Sequence, residues 1–428
     1  MDESGHDFQK FARPPLLITA WTLVLAIMMV AKRVEVPAST LLDDMCMLSR
    51  NLYNVANWYT RQDFFHLGNR LFYGDLYAML RGHAAYVALQ DLAGAHPPQQ
   101  VLRQVEFAWE SFFASMREWR IEPSRFRGRP RPPGYKRRGV GNVVAFTRQQ
   151  SRVRRGIVRL PEKLMKRGFP ALPTTIAASD LAGVRVVPHG DACMIEFLHE
   201  VTPCDAGLDR GHSIGVDIGL VNTATTSDGL LVKGGVIKSV NQLYNKRLAK
   251  MKSTAKRVNG ADETRQMRAL TRKRQDRVHD LIHQATRRII NHCIATHVGT
   301  IYVGYNPGWK DSINLGRRTN QNFVQVPFLD LTWQLEYKGA LVGIEVVRVT
   351  EAFTSQACSR CGERRAGNRV HRGLYTCAHC GLVINADINA ARNIKKKGIR
   401  ETSLVVGAAT PVTDSGCLDQ PPEITIVS

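Results

Sequence analysis

Residues 212–232 read HSIGVDIGLVNTATTSDGLLV. Ile214, Gly215, Val216 and Asp217 form a strand-like run, Gly219 allows a tight turn, and Thr223 to Thr226 give a second, β-branched run closed by the hairpin dipeptide Asp228-Gly229. Asp217 stands at the end of the first, buried-looking strand. The glycines on either side of it, Gly215 and Gly219, leave room for another backbone or a substrate to come close.

Downstream, residues 241–296 are polar and helical in character. Between Lys246 and Arg288 they hold 14 Lys/Arg against four acids, Asp262, Glu263, Asp276 and Asp280. A solvated face mixes its signs, so this surplus reads as a surface turned to a polyanion. Two further strands follow at 301–303 and 345–349, separated by a polar loop and a helix over 327–341, and a closing helix opens at Asp387. Strand, hairpin, helices, strand, helix, strand and helix is an α/β order of ribonuclease-H type. Residues 401–428 contain no Lys or Arg and are expected to be disordered.

Upstream of Gly211 the pattern differs. Met45, Leu48, Leu52, Val55 and Tyr59, and then Leu102, Val105, Trp109, Phe112 and Met116, recur at helical spacing and predict two amphipathic helices. The aromatics Trp58, Tyr59, Phe64 and Phe65 read as core, with base stacking the alternative. Residues 125–139, RFRGRPRPPGYKRRG, carry seven Lys/Arg among Pro and Gly and predict an irregular, phosphate-contacting linker. Short β-rich runs at 143–147, 157–160, 184–187 and 193–198 predict a small antiparallel barrel or sheet.

The length of 428 residues implies two or three domains, and 44% hydrophobic content excludes wholesale disorder. A net charge of +22 makes a polyanion the leading partner, ahead of acidic ligands and anionic membranes. The uncharged run at 15–31, PLLITAWTLVLAIMMVA, could anchor in a membrane, pack as a helix, or lie upstream of a true start at Met28 or Met29, where MVAKRVEVP reads as the start of a first strand; a dispensable extension and no membrane is the reading adopted. Nine cysteines do not make a disulfide scaffold. Cys46, Cys193, Cys204 and Cys293 read as core residues and Cys417 as an exposed thiol in the tail.

The other four carry chemistry. Cys358-Ser-Arg-Cys361 and Cys377-Ala-His-Cys380, fifteen residues apart, have the spacing of a four-cysteine zinc ribbon, and Gly362 and Gly381 let each knuckle curl back. Four thiolates close a tetrahedral site, so it is structural, and His371 and His379 are bystanders. The second constellation is acidic. Asp217 ends a strand, and Asp387 in NADINAARNI stands at a helix N-terminus where Asn385 is placed to cap. Carboxylates converging from such ends can hold two magnesium ions for phosphodiester hydrolysis, though each taken singly could be a turn former or a cap.

GVDIGLVNTATTSDG, SQACSRCG and YTCAHCGLVINADINAARNI together resemble the split RuvC nuclease and zinc finger of TnpB, the transposon-encoded RNA-guided nuclease family related to type V CRISPR effectors. The resemblance extends back through SRNLYNVANWYTRQDFF and GRPRPPGYKRRG and covers roughly residues 32–400. It implies an extension at 1–31, a wedge-like β-barrel from 32–45 and 125–208, a helical recognition domain at 46–124, a RuvC-like nuclease from 209–353 and 385–400, a zinc ribbon at 354–384 and a tail at 401–428. It implies a guide RNA from the transposon end, double-stranded target DNA beside a short motif, and a prokaryotic, cytoplasmic, nucleoid-associated protein whose sequence specificity lies in base pairing.

One departure matters. The family places a Glu at the end of the middle RuvC strand, where IYVGYNPGWK has Gly304. The next strand, in GIEVVRVTEAF, ends in Glu351, and parallel neighbours end roughly 5 Å apart, within reach of a Glu side chain. Asp217, Glu351 and Asp387 are therefore expected to form a relocated magnesium-binding triad, similar to rearranged sites in some TnpB relatives and their eukaryotic cousins. Glu345 starts that strand, about 20 Å away, and Glu336 faces a helix surface. The expected activity is magnesium-dependent, RNA-guided DNA cleavage. The alternatives are a nuclease-dead, RNA-guided repressor and a plain zinc-ribbon DNA-binding factor.

Overall fold

The computed structural model describes residues 28–407 apart from 38, 127, 138, 307–320, 322–324 and 372. Two compact units emerge, Met1–Pro203 with Leu243–Arg277, and Cys204–Gln242 with Val278–Ser428.

The first unit begins with β1 (Met28–Val36), which pairs along its whole length with β7. The strand thus starts four residues inside the stretch expected to be extension. It overlaps MVAKRVEVP, the stretch read as the start of a first strand, and as an edge strand it pairs on one side only. Helices α1 (Thr40–Gln62), α2 (Tyr73–Leu80), α3 (Ala84–Ala93) and α4 (His96–Ile121) follow. Ser39 caps α1 through the N–H of Leu42. The buried stripe of α1 holds Leu42, Met45, Leu52, Tyr53 and Ala56 together with polar Ser49, Asn57 and Thr60. Each polar member is bonded: Ser49 donates to the Val143 carbonyl (2.8 Å), Trp109 to Asn57 (2.9 Å), and Thr60 to the Ala56 carbonyl (3.0 Å).

Strands β2 (Val144–Thr147), β3 (Arg152–Arg154) and β4 (Ile157–Arg159), helix α5 (Glu162–Lys166), and strands β5 (Leu172–Pro173), β6 (Leu181–His189) and β7 (Ala192–Val201) complete the unit. The expected barrel is not closed. Among the described residues the strands form an open antiparallel sheet, β1-β7-β6-β2, and a separate one, β3-β4-β5. Residues 148–180 leave the main sheet to build the small one, so β1 and β2 remain its unpaired edges.

The second unit is built on a five-stranded sheet ordered β10-β9-β8-β11-β12. Its strands are β8 (Asp209–Asp217), β9 (Asn222–Thr226), β10 (Leu231–Lys233), β11 (Val298–Tyr305) and β12 (Glu345–Thr350). β8, β11 and β12 are parallel, and β9 and β10 meander antiparallel beside them. Helices α6 (Gly235–Asn259) and α7 (Arg265–Ala295) stand between β10 and β11, and α8 (Phe328–Ala340) leads into β12. The distal parts of α6 and α7, expected in the nuclease segment, belong to the first unit. There Arg272 pairs with Asp191 (2.6 Å) and Glu35 (2.5 Å), and His189 with Asp276 (2.6 Å).

A three-stranded sheet, β13 (Arg369–His371), β14 (Leu374–Thr376) and β15 (Val383–Asn385), runs into α9 (Ala386–Gly407). This helix lies so close over β8 that a Cβ on Gly215 would come 2.7 Å from the Lys395 nitrogen and overlap the Ala391 carbonyl oxygen. The helix continues seven residues into the segment expected to be disordered, because Glu401, Thr402 and Ser403 carry it on without a breaker. Cys46, Cys193 and Cys293 are buried as expected, whereas Cys204 is exposed. Cys417 and most of the 15–31 run lie outside the described residues. No helix among the described residues is long and apolar enough to cross a membrane.

Candidate functional site

The carboxyl ends of β8, β11 and β12 share one edge of the sheet. Register decides what meets there. Val303 pairs with Val216, so Gly304 stands level with Asp217, and Gly304 in turn pairs with Val349. Glu351 follows directly on β12, two strands and therefore roughly 9–10 Å of backbone from Asp217. Its side chain crosses back over the middle strand. A Cβ built on Gly304 would lie 2.7 Å from Glu351 Cγ and 2.8 Å from Cδ, and would overlap Oε1. The Glu351 carboxylate thus fills the volume that a side chain at position 304 would take.

Asn306, two residues beyond Gly304, grips the same glutamate twice. Its Oδ1 accepts from the Glu351 backbone N–H (3.2 Å), and its Nδ2 donates to Glu351 Oε2 (3.3 Å). The other carboxylate oxygen, Oε1, is buried with no hydrogen-bond partner. Burial, reinforced by the charge of Asp217, pushes the Glu351 carboxyl up to about 8. Burial and the charge of Asp387, partly offset by Arg369, push Asp217 up to about 7. Two acids so displaced mark a pocket short of positive charge.

Asp387 is the second residue of α9. Asn385 caps that helix, accepting from the N–H groups of Asp387 (2.9 Å) and Ile388 (3.3 Å). Asn222 donates to Asp387 Oδ2 (2.8 Å), and the Arg369 guanidinium stands 3.5 Å from Oδ1. Asn306, Asn222 and Arg369 were not singled out from the sequence.

The four cysteines converge closely. Their four sulfurs all lie within 4.8 Å of one another. Cys358 and Cys380 sulfurs are 3.6 Å apart, as are those of Cys361 and Cys377. That is far beyond a disulfide's ~2.05 Å and near the ~3.8 Å edge of a tetrahedron with 2.3 Å metal–sulfur bonds. Gly362 (φ +81°) and Gly381 (φ +67°) close the two knuckles, their N–H groups reaching the Cys358 and Cys377 carbonyls at 3.0 Å. Backbone N–H groups of Cys380 and His379 hold the Cys377 thiol down to about 6. His371 and His379 are exposed and outside the cluster. Asn389 and Lys396 of α9 bond Ala357 and Ser359, tying the cluster to the helix that carries Asp387.

Glu336 pairs with Arg348 (2.9 Å), and Glu345 is exposed at the start of β12, so neither approaches the acidic edge. In the first unit the basic segment runs irregularly along α1, held by Asn54 and Asn57 to the carbonyls of Lys136, Pro133 and Gly134. Beside it opens a groove of about 1190 Å³ in which Phe65 and Phe112 meet Arg117, Arg120, Arg129 and Arg131, and among the described residues no acid lines it. Phe65 is 54% exposed and Trp58 47%, so these two aromatics are not core. Phe64 packs against Trp109.

Residues 197–310 match a family model described as "Probable transposase" of the IS605 OrfB type, and residues 328–394 match "Cas12f1-like, TNB domain". Over these two stretches, which together make up less than half of its length, the chain is similar to the IS605 OrfB and Cas12f1-like families. It is 37% identical over 112 residues to the CRISPR-associated endodeoxyribonuclease Cas12f1 of Sulfoacidibacillus thermotolerans, an alignment covering 26% of this chain and 25% of that one. The chain thus spans about a quarter of that relative's length. A longer alignment, 25% identical over 330 residues, joins it to a protein of Escherichia coli K12 named "Putative RNA-guided DNA endonuclease InsQ", covering 71% of this chain and 74% of that one. The fold resembles that of Cas12f1 in its cryo-EM complex with sgRNA and target DNA, with a TM-score of 0.51, 14% identity and coverage of 83% and 82%.

Proposed function

We propose that this chain is an RNA-guided DNA endonuclease whose RuvC-like, ribonuclease-H-type site is completed by the relocated Glu351. The supporting observation is the occupation of the residue-304 volume by the Glu351 carboxylate, at the level of Asp217. It is a positive fit for an acid displaced by one strand.

In this reading Asp217, Glu351 and Asp387 hold magnesium. Bound magnesium supplies charge neutralisation and an activated water for in-line displacement at a phosphodiester. The chain's own contribution is the carboxylate frame, with Asn222 fixing Asp387 and Asn385 fixing the helix end. Arg369, beside Asp387, is positioned to meet an incoming phosphate. The four cysteines take zinc, since their sulfur spacing suits it, and keep α9 in place. Guide RNA from the transposon end and double-stranded target DNA bind the basic surfaces, including residues 125–139 and 246–288, in the prokaryotic cytoplasm at the nucleoid. The wedge, recognition and tail boundaries inferred from the sequence belong to the same reading.

The test is cleavage by the purified protein with its copurified RNA. Glu351→Ala is expected to lower magnesium-dependent cleavage by about a thousandfold or more, several kcal/mol of transition-state stabilisation, with RNA retention unchanged. Wild-type cleavage by that variant removes the relocated site. A wild-type complex that binds guide and target but never cuts establishes the repressor instead.

A further inference from the structure

Glu351 reaches the acidic edge from a strand that does not border Asp217, and a long side chain spanning that gap has rotamers to lose. Something must hold it. The described residues around it divide that task unevenly between its two oxygens. Oε2 receives the Asn306 amide (3.3 Å), while Oε1, buried in the Gly304 gap, receives nothing among the described residues.

Asn306 occupies the register position after Tyr305, which pairs with Thr350, so it faces Glu351 where the β11–β12 ladder ends. Its side chain continues the ladder. One amide group accepts from the Glu351 main chain and donates to the Glu351 side chain, fixing both ends of the same residue. Gly304 lies near the end of β11 and Asn306 directly after it, and both meet the Glu351 carboxylate. One makes the space and the other aims the group into it. Any other side chain at 304 would expel the carboxylate, and an apolar residue at 306 would leave Oε2 as unsatisfied as Oε1.

We propose that Asn306 is the positioning residue of the relocated glutamate, holding Oε2 so that Oε1 is presented as the ion-facing oxygen. This rests on the proposed role of Glu351. Buried partners that orient a metal-ligating carboxylate are worth about 10–100-fold in metal affinity when removed.

The experiment uses the RNA-bound protein and follows Mn²⁺ binding by electron paramagnetic resonance, together with the metal dependence of cleavage and the melting temperature. Asn306→Leu keeps the side-chain size and removes both hydrogen bonds. It is expected to raise the metal concentration needed for half-occupancy by about 10-fold or more, while RNA retention and melting temperature stay near wild type. Asn306→Gln, which keeps the amide, should recover part of the loss. In a Glu351→Ala background, Asn306→Leu should add nothing, because Asn306 acts through Glu351.

Unchanged metal occupancy in Asn306→Leu overturns the inference, as does a loss that persists undiminished in the Glu351→Ala background. If Glu351→Ala is lethal to cleavage and Asn306→Leu is harmless, only the positioning role falls. If Glu351→Ala itself binds metal and cuts like wild type, the reading of the site falls with it.

Discussion

The second unit holds two clusters of metal-ligating side chains, and they are made in opposite ways. The cysteine cluster takes its ligands from two four-residue knuckles, each closed by a glycine, and its sulfurs already sit near tetrahedral spacing. The acidic cluster takes one residue from the end of β8, one from directly after β12 and one from the start of α9, and two of its carboxyls are displaced upward. A site made by local turns is complete once its knuckles fold. A site made by strand ends exists only when the sheet register is right, and it carries uncompensated charge until a cation arrives.

The largest effect should come from breaking the local site. Cys377→Ser, or removal of zinc by a strong chelator, is expected to unfold β13–β15 and loosen the N-terminus of α9, because such zinc sites contribute on the order of 10 kcal/mol to the folding of their domains. Hydrogen exchange should show protection lost over residues 354–390 and kept in the β1-β7-β6-β2 sheet. Retained protection in the ribbon would mean that its small core around Tyr375 suffices without an ion.

A middle-sized effect should come from crowding the register-dependent site. Gly304→Ala places a methyl where the Glu351 carboxylate lies and should lower cleavage by about 10–100-fold with little change in RNA retention. The exchange Gly304→Glu with Glu351→Ala returns the acid to the middle strand, and it should cut better than Glu351→Ala alone. If Gly304→Ala cuts at the wild-type rate, the glutamate reaches the site by another path.

The smallest effect concerns charge. Asp217 and Glu351 are raised in the folded chain from ordinary values of 3.8 and 4.5 to about 7 and about 8. Across that window the folded chain binds protons that the unfolded chain has released, so their contribution to stability is greatest at low pH and falls as pH rises toward 8. In magnesium-free buffer the melting temperature of wild type should therefore decline more steeply between pH 5 and pH 8 than that of Glu351→Gln, and added magnesium should flatten the difference. Parallel profiles for the two proteins would show that Glu351 is not desolvated. The cysteine cluster, made of thiols that would take zinc rather than magnesium, should show no such relief by magnesium.

Legibility in the sequence followed the same division. The CxxC pairs, the hairpin at Asp228-Gly229 and the Asn385 cap were readable because each is decided within a few residues. The strand from Met28 was legible in MVAKRVEVP, residues 29–37, although the extension was drawn to residue 31. The barrel was expected because short β-rich runs do not state their partners, and 148–180 pair among themselves. Glu351 could be nominated from a gap at Gly304, but Asn306 could not, since its value depends on facing Glu351 across a ladder 45 residues away in sequence.

By itself, the sequence determined the metal-ligand chemistry of four cysteines, the basic character of the surfaces and the three acids at element ends, because residue type and local spacing suffice for these. Only the tertiary structure decided that a carboxylate from β12 lies in the empty place on β11, level with Asp217, because register and side-chain direction are properties of paired strands and not of either strand alone.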